Sequence, residues 1–314
     1  MPCDVGVAMG EALLSYSFPS PHPFTQERAK RFWEKLDEQD ILVRILKPEK
    51  AGRELLELFH DKRQIEFVAK MSRSGHGFLD RGDTPAFPGV FEAAQFAVGS
   101  TVRCLKEVVE GRLDHAFNPV GGLHHATRDS SAGFCVFNDV GVAVELLRRQ
   151  YAIRRVLYAD IDVHHGDGVF YSYETDPDLY VFDMHEDGRY LYPGTGFESE
   201  RGKGKAEGTK VNVPLPPGAG DEEAAANIYK LKELVDSSSP EFIILQCGAD
   251  GLAGDPIAGL RYTSETHRVV TELLHSAAHK ACKGRILALG GGGYDPENCA
   301  SAWVTVVKTL TNVS

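Results

Sequence analysis

In the stretch Arg155–Phe170 an apolar run ends in Asp160, Asp162, His164, His165 and Asp167, with Gly166 and Gly168 set among them. Residues at i, i+2 and i+4 of an extended chain share a face, so Asp160, Asp162 and His164 are expected to converge. Buried charge without a partner costs several kcal/mol, and a bound cation would supply the partner. One imidazole with carboxylates suits Zn2+, and fewer than four protein ligands leave a position open for chemistry. Asp250 directly follows the apolar run Glu241–Gly248. Alone it would read as a turn or cap residue; beside the first cluster it reads as a third ligand. His124 and His125 follow a Gly-Gly turn in NPVGGLHHA. Such a pair suits a general base and an electrostatic partner, and Asp160 and Asp167 could each hold one ring through its Nδ1–H. In Ala288–Asp295, ALGGGGYD, no Lys-Ser/Thr follows the glycines, which excludes a phosphate loop. Those glycines let backbone approach a ligand closely, and Tyr294 is a donor suited to polarising a carbonyl and holding an oxyanion.

Two kinds of element must position these residues. Short β-branched runs lie at Asp4–Ala8, Ile41–Leu46, Leu113–Pro119, Arg155–Asp162, Leu179–Met184, Glu241–Gly248 and Arg285–Leu289. Their nearly continuous apolar character predicts strands buried on both faces of a parallel sheet. Amphipathic stretches predict helices over Thr25–Gln39, Glu54–Met71, Gly89–Glu110, Asp139–Gln150, Asp221–Ser237, Ser264–Lys283 and Pro296–Thr311. Asp221, Glu222 and Glu223 suit the positive end of one helix dipole, and Ser264 is the expected cap of the next. The glycine-rich loop Gly194–Lys210, with Arg201, Lys203 and Lys205, reads as a solvated loop rather than an anion site. Strand–helix alternation along the whole chain predicts an α/β fold in one domain, residues 1–314, with helices on both faces of the sheet.

Composition narrows the function classes. The 314 residues carry 34 Lys+Arg against 45 Asp+Glu, a formal net charge of −11, which disfavours a general nucleic-acid binder. With 42% hydrophobic and 25% charged residues, the profile is that of an ordinary globular protein. A length prior alone would suggest two domains, but α/β folds of this size are common as one. The six cysteines form no CxxC pair, which fits reduced thiols and a cytoplasmic location. A signal peptide is not expected, because the start lacks a basic region before its apolar residues. No stretch approaches the roughly 18 apolar residues of a membrane helix.

The motifs GGLHHA, GFCVFND, DIDVHHGDG, YPGTG, NVPLPPG, GADGLAGDP and GGGGY stand in this order along the chain. In that order they resemble the zinc-dependent histone deacetylases and their bacterial and archaeal relatives, the acetoin-utilisation-type deacetylases and acetylpolyamine amidohydrolases. The resemblance runs from SFPSPHPFTQERAKRF to GGGGYDPENCASAW. It implies the arginase/deacetylase fold, a parallel sheet between helical layers with long loops around the site. It implies Asp162, His164 and Asp250 as zinc ligands. The tandem histidines His124 and His125 would be supported by Asp160 and Asp167, and Tyr294 would polarise the carbonyl. Phe134 and Tyr192 would be the aromatic walls of a substrate tunnel, and Ile257, which follows GDP, would be a third tunnel residue. Phe is more usual than Tyr192 at the second wall, and Met or Leu than Ile257, which bears on substrate size. The resemblance also implies a potassium site of Asp160, Asp162, His164, Asp183 and Met184; Asp183 stands where relatives often have Ser.

The implied activity is hydrolysis of an acetylated amine, with His125 as the proton shuttle. The substrate would be acetyl-lysine in a peptide or protein, or an acetylated small amine such as an acetylpolyamine. Asp80 and Asp83, in the rim segment Gly75–Gly89, are candidates to hold a peptide backbone or a polyamine nitrogen. Two rivals are weaker. An arginase-like binuclear manganese hydrolase would need more bridging aspartates. A non-catalytic reader of acetylated partners would be expected to lack a ligand, the histidine pair or the tyrosine. No membrane partner is expected, and no dimerisation insert is evident, so a monomer is the default.

Overall fold

The structure is a computed structural model that describes residues 3–311. Eight strands form one sheet: β1 (Val5–Ala8), β2 (Arg44–Leu46), β3 (His115–Asn118), β4 (Val156–Asp160), β5 (Leu179–Glu186), β6 (Lys210–Leu215), β7 (Phe242–Gln246) and β8 (Ile286–Leu289). Every pairing is parallel, in the order β2-β1-β3-β8-β7-β4-β5-β6. Among the described residues there are ten α-helices: α1 (Glu11–Leu14), α2 (Glu27–Glu38), α3 (Arg53–Leu56), α4 (Lys62–Ser74), α5 (Val90–Val109), α6 (Asp139–Tyr151), α7 (Asp167–Ser172), α8 (Asp221–Ser238), α9 (Ser264–Ala281) and α10 (Pro296–Thr311).

The apolar strands explain the layering. Along β4 and β7 all residues are buried, and alternate side chains enter opposite cores. Val156, Tyr158, Phe242 and Ile244 join one core, with residues of α4, α5 and α6. Leu157, Ala159, Ile243 and Leu245 join the other, with residues of α8, α9 and α10. Period-two alternation into two apolar layers is what a doubly covered parallel sheet requires. Among the described residues no helix is long and apolar enough to cross a membrane.

Four local expectations are corrected. The stretch Glu54–Met71 is two helices, α3 and α4. The chain breaks between them because Asp61 N–H donates to the Arg128 carbonyl (2.8 Å) and the buried His60 ring accepts Asn138 N–H (2.8 Å). The loop expected to run to Lys210 ends in β6, whose first residue is that lysine. Its Nζ is buried and donates to the Asp176 carbonyl at 2.9 Å. Pro214 is tolerated there because β6 is an edge strand. The cap of α9 is Thr263, whose hydroxyl accepts Glu265 N–H at 3.1 Å, not Ser264. Finally β4 stops at Asp160, so Asp162 and His164 are not carried by an extended strand.

Candidate active site

The site lies beyond the carboxyl ends of the central strands, where open α/β sheets receive ligands. After β4 the chain descends in hydrogen-bonded steps. Asp162 N–H donates to Asp160 Oδ1 and His164 N–H donates to Asp162 Oδ1, both at 3.0 Å. Each short side chain thus closes a turn onto the backbone two residues on. These turns, rather than strand pleating, aim Asp162 and His164 at one point. Asp250 arrives from β7, and its Oδ1 accepts Val163 N–H at 3.0 Å.

Donor atoms of Asp162, His164 and Asp250 all lie within 4.8 Å of one another, and all three residues are buried. His164 Nδ1 is 3.2 Å from both Asp162 Oδ1 and Asp250 Oδ2. Burial and the neighbouring Asp162 charge push the Asp250 carboxyl up. Burial opposes charge on His164, but Asp162 and Asp250 overcome it and lift the ring to about 10. Two buried carboxylates around one imidazole therefore favour positive charge at their centre, carried as a proton on His164 or as a bound cation. Gly292 keeps the cradle open: a Cβ there would fall on Asp250 and within 2.9 Å of Asp162 Oδ2. The donor set, its burial and this clearance fit a divalent cation of the zinc type.

The tandem histidines come from the loop after β3. His124 Nδ1 is 2.8 Å from Asp160 Oδ2, and His125 Nδ1 is 2.7 Å from Asp167 Oδ1. Their Nε2 atoms are 3.1 Å apart. Burial disfavours charge on His124, but Asp160 and Asp162 outweigh it and raise the ring to about 10. Burial and the charge on His124 push His125 down to about 4, against the pull of Asp167. The two rings are thereby distinguished, one disposed to hold a proton and the other to be free to take one.

Tyr294 follows β8 and the glycine run, and its N–H donates to Asp255 Oδ2 at 2.8 Å. Burial holds its phenol far above the usual range, so it keeps its proton as a donor. A cavity of about 210 Å3 reaches this point from the surface. Phe134, Tyr192 and Ile257 all line it, as do His125, His164 and Tyr294. The Phe134 ring stands edge-on to Tyr294, centroids 5.7 Å apart, and Tyr192 stands edge-on to His125 at 5.1 Å. Asp83 also lines the cavity. Asp80 instead organises the rim, its Oδ1 accepting the N–H groups of Gly82, Asp83 and Thr84 at 2.9 to 3.1 Å.

Asp183, the residue singled out for the potassium site, has both oxygens engaged. Oδ1 is 2.6 Å from His185 Nδ1, and Oδ2 accepts Gly166 N–H at 2.9 Å. The neighbouring Met184 is buried with its side chain in the apolar core. Other contributors were not anticipated. Gln246, which pairs with Asp160 across β7 and β4, donates through Nε2 to Asp162 Oδ2 at 2.7 Å. Tyr158 donates its hydroxyl to Asp160 Oδ2 at 2.5 Å. Arg28 hydrogen-bonds the Gly291 carbonyl and lies over the Phe24 ring, 3.9 Å from its centroid. Tyr158 was in principle detectable as a polar ring two positions before Asp160 in an apolar strand. Gln246 and Arg28 carry no local signal.

Comparison with known proteins adds three findings. Residues 22–310 match the histone deacetylase domain family. The acetoin utilization protein AcuC of Bacillus subtilis is 37% identical over 311 residues, covering 92% of this chain and 79% of that protein. Human histone deacetylase 1 is 33% identical, over 92% of this chain and 61% of its own length, and a probable deacetylase of Archaeoglobus fulgidus is 34% identical, over 93% and 82%. Among solved structures, the HDA15 HD domain superposes with a TM-score of 0.90 at 26% identity, covering 98% of this chain and 88% of that one.

Proposed function

This chain belongs to the histone deacetylase family, and we propose that it is a zinc-dependent amidohydrolase removing acetyl groups from acetyl-lysine in peptides or proteins. The observation that supports this best is the cavity whose walls are Phe134, Tyr192 and Ile257 and whose floor is His125, His164 and Tyr294. An aliphatic stem fits between the aromatic walls, and its acetyl end meets a base, a metal ligand and a donor together.

Asp162, His164 and Asp250 would hold the zinc ion, which when bound polarises a carbonyl and lowers the pKa of water from about 15.7 toward about 7. His125 takes the proton of the attacking water at Nε2 and returns it to the leaving amine, while Asp167 holds its Nδ1. His124, paired with Asp160, keeps its proton and stabilises negative charge nearby. The Tyr294 hydroxyl donates to the oxyanion as the carbonyl carbon becomes tetrahedral. Phe134 and Tyr192 exclude water around the stem. No step requires a potassium ion. We take the whole chain as one catalytic domain acting in a reducing cytoplasm, a setting supported by six free thiols, five of them buried.

An acetylpolyamine is the second substrate reading, favoured by Asp83 on the cavity wall, which could hold a distal ammonium. Turnover of an acetyl-lysine peptide against acetylputrescine separates the two. The arginase-like reading loses ground because, among the described residues, the donor set at this site is a single trio. The reader alternative loses ground because ligands, histidines and tyrosine converge. The test of the mechanism is His125→Ala: turnover falls by about 10²–10⁴-fold with zinc content unchanged. Turnover near that of the parent protein would overturn it.

A further inference from the structure

A second group of metal-ligating side chains lies at the opposite end of the sheet, before the strands rather than after them. Cys3 precedes β1, His115 opens β3, and His275 and His279 lie one turn apart on α9. One donor atom from each of the four lies within 4.8 Å of the other three. Cys3 Sγ is 3.7 Å from His275 Nε2 and 3.5 Å from His279 Nε2, and those two nitrogens are 3.0 Å apart. An ion held tetrahedrally at ordinary Zn–N and Zn–S lengths sets N···N near about 3.3 Å and N···S near about 3.6 Å. Cys3, His275 and His279 are thus spaced close to what one ion needs, and the His115 donor lies within 4.8 Å of all three.

His115 supplies an independent observation. It is fully buried, at 0% exposure, and neither ring nitrogen has a hydrogen-bond partner. Buried polar atoms are almost always paired, and an orphaned imidazole calls for an explanation. Its ring centroid is 4.8 Å from that of His275 and 5.4 Å from that of His279, so it faces the other donors. Asp114 Oδ2 accepts Asp4 N–H at 2.8 Å and so ties the residue after Cys3 to the residue before His115. The spacing of His275 and His279, four residues apart on one helix face, is a common two-ligand pattern.

We propose that Cys3, His115, His275 and His279 form a second, structural zinc site at the amino end of the sheet. Three imidazoles and one thiolate make a closed four-ligand set, with no position left for substrate, so the ion would act as a clamp. It would tie the entry to β1, the start of β3 and the last turns of α9. The rows of ligands reach it from three places far apart in sequence, and the catalytic trio contributes none of them.

The test compares zinc-loaded parent protein with the double variant Cys3→Ser/His279→Ala, both exchanged into the same buffer after removal of loose metal. Metal analysis is expected to show a difference of one zinc per chain, whatever the catalytic site holds. Cobalt substitution gives a second readout: a thiolate-to-cobalt charge-transfer band present in the parent protein and lost in Cys3→Ser alone. Deacetylase turnover of both variants should stay at the parental level at moderate temperature, showing that they fold. Their melting temperature should no longer rise on adding zinc to the metal-stripped protein by as much as the parent's does. Equal zinc content in parent and double variant, or a cobalt spectrum unchanged by Cys3→Ser, would overturn the proposal.

Discussion

Asp80 and Asp83 are three positions apart at the rim and titrate in opposite directions. Burial would raise Asp80, but hydrogen bonds from Asp83, Thr84 and the Gly82 N–H hold it at about 2. Burial and the Asp80 charge push Asp83 up to about 6. Asp83 is the one that lines the cavity, so its charge is available to a substrate only above that pH. As pH falls through about 6, Asp83 takes a proton and loses its attraction for a peptide N–H or an ammonium. KM for an acetyl-lysine peptide should therefore rise below pH 6, and Asp83→Asn should give a high KM that is flat over the same range. A parental KM indifferent to pH between 5 and 8 would remove Asp83 from binding. Tyr294→Phe addresses the opposite end of the cavity. Losing one oxyanion donor should lower kcat by about 10²–10³-fold with little change in KM; equal loss in both would point to ground-state binding instead. The convergence of Asp162, His164, Asp250, the two histidines and Tyr294 could be anticipated because each is a polar type standing after an apolar run or a glycine turn. Gln246 and Arg28 could not. Gln246 acts across a strand pair set by the fold, and Arg28 reaches the Gly291 carbonyl from α2, so neither has a local pattern.

The elements behind the site work by close approach. Gly168 lies in the first turn of α7, and a Cβ there would come within 2.5 Å of the Ala126 and His124 carbonyls. That turn is therefore packed on the backbone of the tandem histidines. Gly168→Ala should push the His124–His125 segment away from Asp160 and Asp167. Since about 1 Å of misplacement can cost about 10²-fold in rate, kcat should fall by at least that factor. Zinc content should persist, because the backbone that the new Cβ meets is that of His124, His125 and Ala126 and not that of Asp162, His164 or Asp250; loss of zinc together with activity would show general unfolding instead. Strands β1, β3, β4, β5, β7 and β8 and the helices α2, α5, α6, α8, α9 and α10 were readable from periodicity, with the start of α10 at Pro296 matched. The exceptions have physical causes. β6 carries Lys210, Asn212 and Pro214 and lacks an apolar run, and its partner strand β5 decides its conformation. The α3–α4 break is imposed by Arg128 and Asn138, which lie far along the chain. The convergence of Asp162 and His164 was expected for the wrong reason, a strand instead of side-chain turns.

At the scale of the molecule, the net charge of −11 should favour encounter with basic partners. The kcat/KM for a lysine-rich acetylated peptide should fall as salt rises from low ionic strength, where the screening length exceeds about 10 Å. A neutral acetyl-lysine amide should show no such fall, and parallel behaviour of the two would exclude steering. The strand order has a further consequence, in time rather than space. β8 is the last strand in the chain, yet it lies between β3 and β7. Until it emerges from the ribosome, β2-β1-β3 and β7-β4-β5-β6 are two separate ribbons, each with an unpaired inner edge. Asp162, His164 and Asp250 belong to the second ribbon, whereas His124 and His125 follow a strand of the first. On the proposed mechanism, a nascent chain could bring the three candidate ligands together before it has a base beside them. Synthesis would then pass through a stage at which capturing the ion is possible and hydrolysis is not, and the arrival of β8, with Tyr294 after it, would end both waits together.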